Sequence, residues 1–513
     1  MKYLSMIVGV FFGLTCTAQL EVTNLNLAPE ANNVLRYDLT FSTSAESYAY
    51  VDYYRMVTND DGAVIDSIVT HTPLQGPTSD HSFKIWGITP DTDYSYQVFA
   101  YNVEECVDNG IQTFVTDTLP TTVATMDSVY MAEGADLDGF YLTNTVGVPD
   151  KNLQIFDREG NVVWYEWHSL APEQGNIAQC QMFNQTAGNN ILLLECHELT
   201  EINLKGDVLN YIDLNGTPAD TLFFHHDAII NEAGNFVVIA AANKVFPSGD
   251  STITVIQESL LEIDMDGNIV WEWHSLDHFD AYQATSSGGF FIPIMGADAI
   301  NWMHCNSVYQ DVDGHYIVSF KNWDQGLKIH SSTGEIIWQL GGEDGDINFA
   351  LGDSFGDQHD INRTNVGTYI LFDNTGLDSI SRMLEFSIDF YDLPVAINEW
   401  EWELPQDNHS HILGSAKRLS NQNRVCVSGV TGSIFEVSAG GEVQWHHRQN
   451  YWAYRTFFVD QLFDNSIDDI ALGANPVLMC VDEESVALNA EPAGGCWSGS
   501  GVIAAVFDPD EAG

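Results

Sequence analysis

A hairpin-like segment recurs along the chain and constrains its fold more than any other feature. Each clear copy has an apolar strand, a turn, the pattern Gly-x-x-x-Trp and a second strand, with the glycines at Gly160, Gly267, Gly334 and Gly441. A copy without the tryptophan lies at Gly206, and another occupies residues 383–402. The copies are 46 to 67 residues apart where successive glycines mark them. Strand hairpins at this spacing are typical of propeller blades, so the sequence predicts an all-β chain with a six-bladed β-propeller.

A second repeat falls between these hairpins and carries histidine. Four segments each open with histidine, run as a strand, turn at Gly or Asn, and return as a strand. Their histidines are His226, His304, His359 and His411. The first strand of a blade lines the propeller axis, so we expect these four side chains to converge at the mouth of the channel.

The regions outside the propeller differ from it in pattern. Residues 20–118 alternate polar and apolar residues in short strands, and the stretch GITPDTDYSYQVFAYN resembles a fibronectin type III β-sandwich. Residues 118–122 look like a linker, and the propeller is expected over residues 125–460. Residues 461–513 do not read as propeller.

The N-terminus reads as an export signal. Lys2 precedes an apolar run through about Cys16, and Cys-Thr-Ala before Gln19 supplies small residues suited to cleavage. We therefore expect a signal peptide at residues 1–18 and a periplasmic or secreted protein; a lipid anchor on Cys16 is the alternative. No later stretch is apolar enough to predict a membrane span. Export permits disulfides, and the spacing of the cysteines suggests Cys180–Cys196 and Cys480–Cys496 as pairs.

The chain is strongly acidic, with 17 Lys plus Arg against 73 Asp plus Glu and a formal net charge of −56. Such a surface repels nucleic acid, since phosphate binding needs basic residues. Any anion site must therefore be built locally from few cations. Lys321 ends the strand that returns from His304, and Arg382 follows Asp373-Asn374 after a short loop, so both are candidates to bind an anionic substrate.

The histidines themselves admit several interpretations. Histidine acts as a nucleophile, general acid or general base near neutral pH. A structural histidine fixed at one position of a repeat, or a transition-metal site, would use the same residues. The sequence predicts no metal and no cofactor.

Five motifs then point to a family. NWMHCNSVYQDVDGHYIVSFK, GEIIWQLGG, QHDI, LFDN and SRMLEFSID occur in the order and spacing of the arylsulfate sulfotransferases, and the resemblance covers about residues 125–460. The family consists of exported six-bladed propellers. The resemblance implies transfer of a sulfuryl group from a phenolic sulfate ester to a phenol through a sulfohistidine, without a nucleotide sulfate donor.

The resemblance also implies roles for individual residues. His359, in the Gln-His motif, corresponds to the histidine that becomes sulfated. His304, with Asn306 beside it, matches the Trp-x-His-x-Asn motif, and His226 matches the upstream His-Asp motif, with His225 as the fallback. The family's Ser-x-Arg motif reads Ser319-Phe320-Lys321 here. Lysine lacks the rigid fork with which a guanidinium grips two oxygens, so weaker or altered transfer is expected.

The function expected from residues and resemblance together is an exported aryl-sulfate sulfotransferase. Its partners would be a small phenolic sulfate ester and a phenol acceptor, and a homodimer is left open. Catalysis is expected from His359, His304, His226 and Lys321, and substrate binding from Asn306, Arg382, His411 and His225. The alternatives are a propeller that binds a sulfated or phenolic ligand or a partner protein without turnover, and a hydrolase with water as the acceptor.

Overall fold

The computed structural model describes most of residues 19–463 and short strands beyond them. The segments outside the description are residues 1–18, 59–63, 103–104, 136, 147–151, 168–180, 196, 216–221, 249, 283–289, 293–298, 351–352, 376–379 and everything after 463 except 471–472, 486–487, 490–491, 502–503 and 506–507. The chain divides into two compact units, residues 1–118 with 464–513 and residues 119–463. Among the described residues, no helix is long and apolar enough to span a membrane.

The first unit is a β-sandwich of antiparallel strands. Its strands are β1 (Val22–Glu30), β2 (Asn33–Thr58), β3 (Val64–His71), β4 (Gln75–Ile85), β5 (Asp93–Tyr101), β6 (Cys106–Asp108) and β7 (Gln112–Val115). The long β2 belongs to two layers. Its first half pairs with β1 and β4, and its second half pairs with β3 and β5. The Tyr94 hydroxyl accepts a hydrogen bond from the Thr89 backbone N–H at 3.0 Å. The fibronectin type III subtype stays a prediction.

The short strands after residue 470 form two small antiparallel sheets. They are β36 (Ala471–Leu472), β37 (Val486–Ala487), β38 (Ala490–Glu491), β39 (Val502–Ile503) and β40 (Val506–Phe507). Strand β36 pairs with β38, and β40 pairs with both β37 and β39.

The second unit is the six-bladed β-propeller that the repeat predicts. Its strands in chain order are β8 (Met126–Met131), β9 (Phe140–Asn144), β10 (Asn152–Phe156), β11 (Val162–Trp167), β12 (Gln181–Gln185), β13 (Ile191–Glu195), β14 (Glu198–Ile202), β15 (Val208–Asp213), β16 (Phe223–Ile230), β17 (Phe236–Ser248), β18 (Ser251–Ile263), β19 (Ile269–His274), β20 (Phe290–Ile292), β21 (Ala299–Asn301), β22 (Cys305–Gln310), β23 (Tyr316–Phe320), β24 (Gln325–Ile329), β25 (Ile336–Gly341), β26 (Asn348–Phe349), β27 (His359–Arg363), β28 (Tyr369–Asp373), β29 (Arg382–Asp389), β30 (Val395–Glu403), β31 (Ser415–Arg418), β32 (Arg424–Ser428), β33 (Ser433–Val437), β34 (Val443–Gln449) and β35 (Thr456–Val459). Three-residue 3₁₀ helices lie at Ala187–Asn189, Ser275–Asp277, Lys321–Trp323 and Gln406–Asn408.

Both ends of the propeller segment close the ring. Blades 2 to 6 begin with β12, β16, β22, β27 and β31, and each continues through consecutive antiparallel strands. The late strand β35 pairs with β9 and completes blade 1, whereas the early strand β8 pairs with β34 at the outer edge of blade 6. Two antiparallel ladders between distant segments therefore join the first blade to the last.

The recurring hairpin is the outer strand pair of each blade. Its pairing register slips at the same place in all six blades, for example between Ile155 and Phe156 in blade 1 and between Glu436 and Val437 in blade 6. Gly160 and Gly441 lie at φ of 96° and 86° in these turns, a region that glycine enters without steric cost. The glycine of the repeat is thus required by a bulged turn.

In three blades a tryptophan of the outer hairpin is hydrogen-bonded to the turn of the next blade. The indole N–H of Trp164 in blade 1 donates to the Leu204 carbonyl in blade 2 at 2.6 Å. Trp445 in blade 6 donates to the Arg158 carbonyl in blade 1 at 2.9 Å. Trp400 serves the same purpose in the copy at residues 383–402, donating to the Ala439 carbonyl at 3.1 Å. A buried indole N–H favours such an acceptor, which accounts for the spacing of Trp164 and Trp445 from their turns.

Strand burial follows position in the blade. Middle strands such as Tyr316–Phe320 and Tyr369–Asp373 are buried at every residue, because neighbouring blades cover both faces. The outer strand Ile336–Gly341 alternates in burial. Apolar clusters lie between adjacent blades, one of them packing Val318 and Leu327 of blade 4 against Val237 and Leu260 of blade 3. The core is therefore a ring of blade interfaces.

One buried histidine makes this core sensitive to acid. His447 is fully buried, its ring lies 4.5 Å from that of Phe156, and neither ring nitrogen has a hydrogen-bond partner. Burial lowers the pKa of His447 to about 3. Between about pH 3 and 6.5 the unfolded chain therefore binds the proton more readily, so stability contributed by this group is lost as pH falls through that window.

We expect His447→Phe to remove this acid sensitivity. When pH falls from 7 to 5, wild type should lose about 2 kcal/mol more unfolding free energy than the variant. This difference follows from the linkage between the folded and unfolded pKa values of His447. Urea-induced unfolding of both proteins at the two pH values measures the difference. An equal difference at pH 7 and pH 5 would contradict the assignment.

The cysteine pairs predicted above lie outside the described residues. The turn that would oppose Cys180 and Cys196 does form, with Gly188 at φ 70° and Gln181 paired with Glu195. Cys106 is disulfide-bonded, and Cys305 and Cys426 are free and buried. The signal peptide at residues 1–18 also lies outside the description and stays a prediction.

Candidate functional site

Three histidines from neighbouring blades share one buried cluster. His226 lies in β16 of blade 3, His304 directly precedes β22 of blade 4, and His359 begins β27 of blade 5. The rings of His226 and His304 lie 4.8 Å apart. The Tyr454 ring lies 6.1 Å from that of His226 and 6.3 Å from that of His359. The exposed fractions of the three histidines are only 4%, 8% and 2%, so bulk water is largely excluded.

The tautomer of His359 is set by two acceptors at one nitrogen. Its Nδ1 lies 2.8 Å from Asn374 Oδ1 and 3.1 Å from the Asp357 carbonyl oxygen. Asn374 cannot turn its amide around, because its Nδ2 donates to the carbonyls of Ser410 and Leu413, each at 2.8 Å. Nδ1 therefore carries the hydrogen. Among the described residues Nε2 has no hydrogen-bond partner, which leaves its lone pair available.

The surroundings also keep these histidines neutral. Burial lowers the pKa of His359 to about 4, with Lys321 and Arg455 adding to the effect and the hydrogen bond from Nδ1 to Asn374 opposing it. Burial and the neighbouring histidines hold the pKa values of His226 and His304 well below their usual range. At neutral pH His359 is thus an unprotonated imidazole, the form that can act as a nucleophile.

His304 has the opposite tautomer to His359. Asn301 Nδ2 donates to His304 Nδ1 at 2.6 Å, and Asn322 Nδ2 donates to the Asn301 backbone carbonyl oxygen at 2.9 Å. The hydrogen of a neutral His304 then lies on Nε2. His304 therefore presents a donor where His359 presents a lone pair.

Lys321 is attached to the same loop but is paired. Its backbone N–H donates to the His304 carbonyl at 3.0 Å, which places it at the start of the 3₁₀ helix Lys321–Trp323. Its ammonium forms an ion pair and short hydrogen bond with Asp357. The positive charge of Lys321, which the sequence suggested for binding an anion, is thus paired with the Asp357 carboxylate. Lys321 still acts on the cluster, because it lowers the pKa values of both His304 and His359.

Asn306 contacts residues around the histidine cluster through its side chain and its backbone carbonyl. Its Nδ2 donates to the Gln358 carbonyl at 2.7 Å, directly before His359. Its own carbonyl accepts from the Tyr454 hydroxyl at 2.8 Å and from Arg455 Nη2 at 3.1 Å. Asn306 therefore connects blade 4 to the strand of His359 and to the segment that closes the propeller.

A buried ion pair underlies the three histidines. Arg455 and Asp227 are 1% and 2% exposed, and the guanidinium contacts Asp227 through both terminal nitrogens, at 2.5 Å and 2.9 Å. Asp227 Oδ2 also accepts from the Val308 backbone N–H at 2.9 Å. Asp227 lends a negative charge that raises the pKa of Arg455 despite its burial. Blades 3 and 4 and the closing segment meet at this pair.

The aspartate that follows His359 has an equivalent structural task. Asp360 Oδ1 pairs with Lys417 Nζ at 2.9 Å, and Oδ2 accepts from the Ala416 N–H at 3.2 Å. Asp227 after His226 and Asp360 after His359 each bind the strand of the next blade. The aspartate of the His-Asp motif therefore joins blades.

Two residues predicted to bind the substrate are an ion-paired arginine and an exposed histidine. The Arg382 guanidinium is engaged by Asp373 at 2.9 Å, Glu401 at 2.5 Å and Asp353 at 3.1 Å, within blade 5. His411 is exposed. Within the part of the chain that the structure describes, no contact joins either residue to the histidine cluster. His225 lies in the cluster but behind His226, with 2.7 Å between the two Nδ1 atoms.

Hairpin turns show why the four predicted histidines are not equivalent. Asn231, Asp311, Thr364 and Leu419 begin matching turns, each accepting a backbone hydrogen bond from the residue three positions later. His226 and His359 both lie five residues before their turn, where Asn306 and Gly414 stand in the other two blades. His304 reaches the cluster from two residues earlier, and His411 falls three residues before Gly414.

Backbone conformation assists this placement. His226 and His304 have φ of 60° and 59°, and Asp360 has φ of 60°, a left-handed region that non-glycine residues seldom occupy. Strained residues of this kind concentrate at functional sites. The strand starts are therefore bent where the histidines project.

Sequence reasoning missed several residues of the site. Asn301, Asn374, Tyr454 and Arg455 all contact the predicted residues, yet none was singled out. Asn374 lies in the LFDN motif, which was recognised for its position and not for its hydrogen bond. Arg455 had one available signal, since it is among only 17 basic residues in a strongly acidic chain. Within the described residues, no group of three or more His, Cys, Asp or Glu has an arrangement that would hold a metal ion.

The solved structures that match this chain do so at low similarity. A protein of unknown function from Bacteroides caccae is 11% identical, with 63% of this chain and 100% of that chain covered and a TM-score of 0.41. Virginiamycin B lyase from Staphylococcus aureus is 8% identical, covering 63% and 98%, with a TM-score of 0.33. AztD in its apo form from Citrobacter koseri is 8% identical, covering 63% and 98%, with a TM-score of 0.31.

The family assignment comes from a different comparison. No curated protein matches the chain. A family model described as Arylsulfotransferase (ASST) matches residues 191–450, half of the chain, and this range includes His226, His304, Lys321 and His359. On that match and on the six-bladed propeller that carries these residues, the chain belongs to the arylsulfotransferase family.

Proposed function

We propose that this protein transfers a sulfuryl group from an aryl sulfate ester to a phenolic acceptor by way of a sulfated His359. The observation that carries the proposal is the state of His359. Its Nδ1 is held by Asn374, its Nε2 lone pair has no partner among the described residues, and its pKa is lowered to about 4. An imidazole in that state is a ready nucleophile in neutral solution.

The first half-reaction is an in-line displacement at sulfur. The Nε2 lone pair of His359 forms the N–S bond while the bond between sulfur and the aryl oxygen breaks, and the phenolate leaves with that electron pair. The hydrogen on Nδ1 stays on the ring. By analogy with phosphoryl transfer, negative charge in the loose transition state lies on the sulfuryl oxygens and the leaving oxygen.

Groups beside His359 can stabilise the negative charge on the sulfuryl oxygens and the leaving oxygen. The Nε2–H of His304 and the ammonium of Lys321 are donors beside His359, and each such donor contributes on the order of 3 kcal/mol to lowering a barrier of this type. In the second half-reaction a phenol oxygen attacks sulfur, the N–S bond returns its electron pair to Nε2, and His226 or His304 accepts the phenol proton.

Covalent trapping tests the proposal. Incubation with 4-nitrophenyl sulfate, without an acceptor phenol, should add the mass of one SO₃ group to the intact protein and release a burst of nitrophenol. Peptide mapping should locate the adduct on His359. The absence of both adduct and burst would overturn the proposal. If the enzyme were instead a hydrolase, adding phenol would leave the products unchanged, whereas transfer predicts phenyl sulfate.

The ion pair between Lys321 and Asp357 favours the alternative of a binding propeller without turnover. A cation that is already paired with a carboxylate gives less to an anionic transition state than a free one. In that case the histidine cluster would bind a sulfated or phenolic ligand, or a partner protein, and no sulfuryl group would move. Export to the periplasm or beyond is part of the proposal in either case.

Replacing Lys321 distinguishes the two functions. For an enzyme, Lys321→Met should lower kcat/KM for aryl sulfate by about 10²-fold to 10³-fold, because a donor to the sulfuryl oxygens is lost. Lys321→Arg should keep or raise the rate, since a guanidinium reaches Asp357 and a sulfuryl oxygen together. Lys205→Met, at an exposed lysine, is the matched control. Steady-state kinetics that stay at background for all three variants and wild type would favour the binding alternative.

A further inference from the structure

Two buried residues form a line behind His226. His225 Nδ1 lies 2.7 Å from His226 Nδ1, and His225 Nε2 lies 3.1 Å from Glu258 Oε2. The exposed fractions of His225, His226 and Glu258 are 5%, 4% and 2%. The second contact is close without being aligned as a hydrogen bond, so its contribution is electrostatic. The row of side chains that runs from His226 through His225 therefore ends at the Glu258 carboxyl group.

That carboxylate is fixed in place by the blades around the cluster. Glu258 Oε1 accepts from the Cys305 backbone N–H at 3.2 Å, directly after His304. The Glu258 backbone N–H donates to Ser275 Oγ at 3.1 Å. Glu258 in blade 3 therefore stays beside His225, and the loop that carries His304 helps to hold it there.

The Glu258 carboxyl group influences which ring nitrogen carries the hydrogen in His225 and, through His225, in His226. A carboxyl oxygen 3.1 Å from His225 Nε2 electrostatically favours a hydrogen on that nitrogen, because a lone pair there would face the lone pairs of the oxygen. When His225 carries this one ring hydrogen, its Nδ1 is a lone pair, and it meets His226 Nδ1 at 2.7 Å as the acceptor of a hydrogen on His226. The lone pair of His226 is left on Nε2.

We infer that Glu258 and His225 are positioning residues that hold His226 as the general base for the acceptor phenol. This inference rests on the proposed sulfuryl transfer and assigns the base that the proposal left between His226 and His304. His304 is unsuited to the task, because Asn301 donates to its Nδ1 and its hydrogen lies on Nε2. His304 thus acts as the hydrogen-bond donor and His226 as the base, with their rings 4.8 Å apart.

The assignment specifies one proton transfer. When the phenol oxygen attacks the sulfur of sulfated His359, its O–H proton passes to His226 Nε2, and the N–S bond returns its electron pair to His359. The positive charge that forms on His226 faces His225 and, through it, the carboxyl group of Glu258. In the next cycle that proton passes from His226 to the leaving phenolate, or to water.

Glu258→Gln tests the inference through the two half-reactions. The first, with 4-nitrophenyl sulfate, should stay within about threefold of wild type, because nitrophenolate leaves without needing a proton. The second, discharge onto phenol, should slow by about 10²-fold, the usual contribution of a general base. Phenol has a pKa near that of tyrosine, about 10, so it needs a base. With 4-nitrophenol as the acceptor the defect should shrink.

The matched control is Glu262→Gln on the same strand. Glu262 accepts from Asn235 Nδ2 at 2.8 Å and from the Tyr316 hydroxyl at 3.1 Å, away from the histidines. Both half-reactions should keep their wild-type rates in this variant. Rapid-mixing measurement of the nitrophenol burst and of adduct decay reads the two steps separately.

Nitrogen-15 NMR of the histidine side chains provides a readout independent of activity. His226, identified by comparison with a His226→Gln sample, should show a hydrogen on Nδ1 and none on Nε2. The opposite tautomer would overturn the inference, as would equal slowing of both half-reactions in Glu258→Gln or no slowing of either. Failure of the proposed function is distinct, because wild type itself would then show no burst and no adduct.

Discussion

His359→Ala is expected to abolish covalent sulfation and to lower kcat/KM for aryl sulfate by at least about 10⁴-fold, as loss of a covalent nucleophile does in other enzymes. The reason is specific to the site. Among the described residues near the cluster, His359 has the Nδ1 hydrogen held by Asn374 and the unengaged Nε2. Intact-mass measurement after exposure to 4-nitrophenyl sulfate, together with burst kinetics, checks the result.

The rate loss must come from the nucleophile and not from misfolding. His359→Ala should therefore unfold in urea at close to the wild-type midpoint, or at least remain folded at the assay temperature. His315→Gln is the matched control, because this half-buried histidine lies in the turn region between β22 and β23 and stacks on His330 at 4.2 Å. An adduct that persists in His359→Ala would assign the nucleophile to another residue.

Asp227→Asn is expected to lower the unfolding free energy of the propeller by about 3–5 kcal/mol. The substitution leaves Arg455, which is 1% exposed, as a buried cation without its counter-ion. Urea-induced unfolding followed by tryptophan fluorescence measures the change. Asp38→Asn is the control, since the carboxylate of Asp38 is 49% exposed and its pair with Lys84 should contribute at most about 1 kcal/mol.

A double variant separates the ion pair from other contacts of Asp227. In Asp227→Asn/Arg455→Met both charges are removed, so the loss should be clearly smaller than the sum of the two single losses. Simple additivity would mean that the two side chains act independently, contrary to the bidentate contact between them. The three histidines of the cluster are left in place, so the expected sulfation at a temperature where the variants remain folded provides a second readout.

The fold was largely predictable because its signals are local. Glycine occupies the bulged turn at Gly160 and its equivalents, and Trp164 and Trp445 each reach a carbonyl of the next blade. The glycine recurs in five of the six turns and so appears directly in the spacing of residues. The sequence-based expectation that His226, His304 and His359 lie together has the same origin, since strands that start blades all face the axis.

The same reasoning did not predict that Arg382 is ion-paired or that His411 makes no contact with the cluster among the described residues. His411 opens its segment as the others do, but it lies three residues before the position that His226 and His359 occupy. Arg382 looked like a spare cation, whereas Asp353 and Glu401, distant in sequence from each other, engage its guanidinium together with Asp373. A cationic side chain is available to bind a substrate only if no carboxylate of the protein is paired with it. Tertiary packing decides which carboxylates lie close enough to pair.

The sequence by itself determined the propeller, its six repeats and the histidines that resemble the family's site, because strand periodicity, turn chemistry and motif order are properties of neighbouring residues. Only the tertiary structure decided the chemical state of those histidines. Asn374 sets the tautomer of His359, Asp357 shares the charge of Lys321, and His225 with Glu258 stands behind His226. Proton positions and pKa values depend on atoms within a few ångströms, and in this protein those atoms come from separate blades.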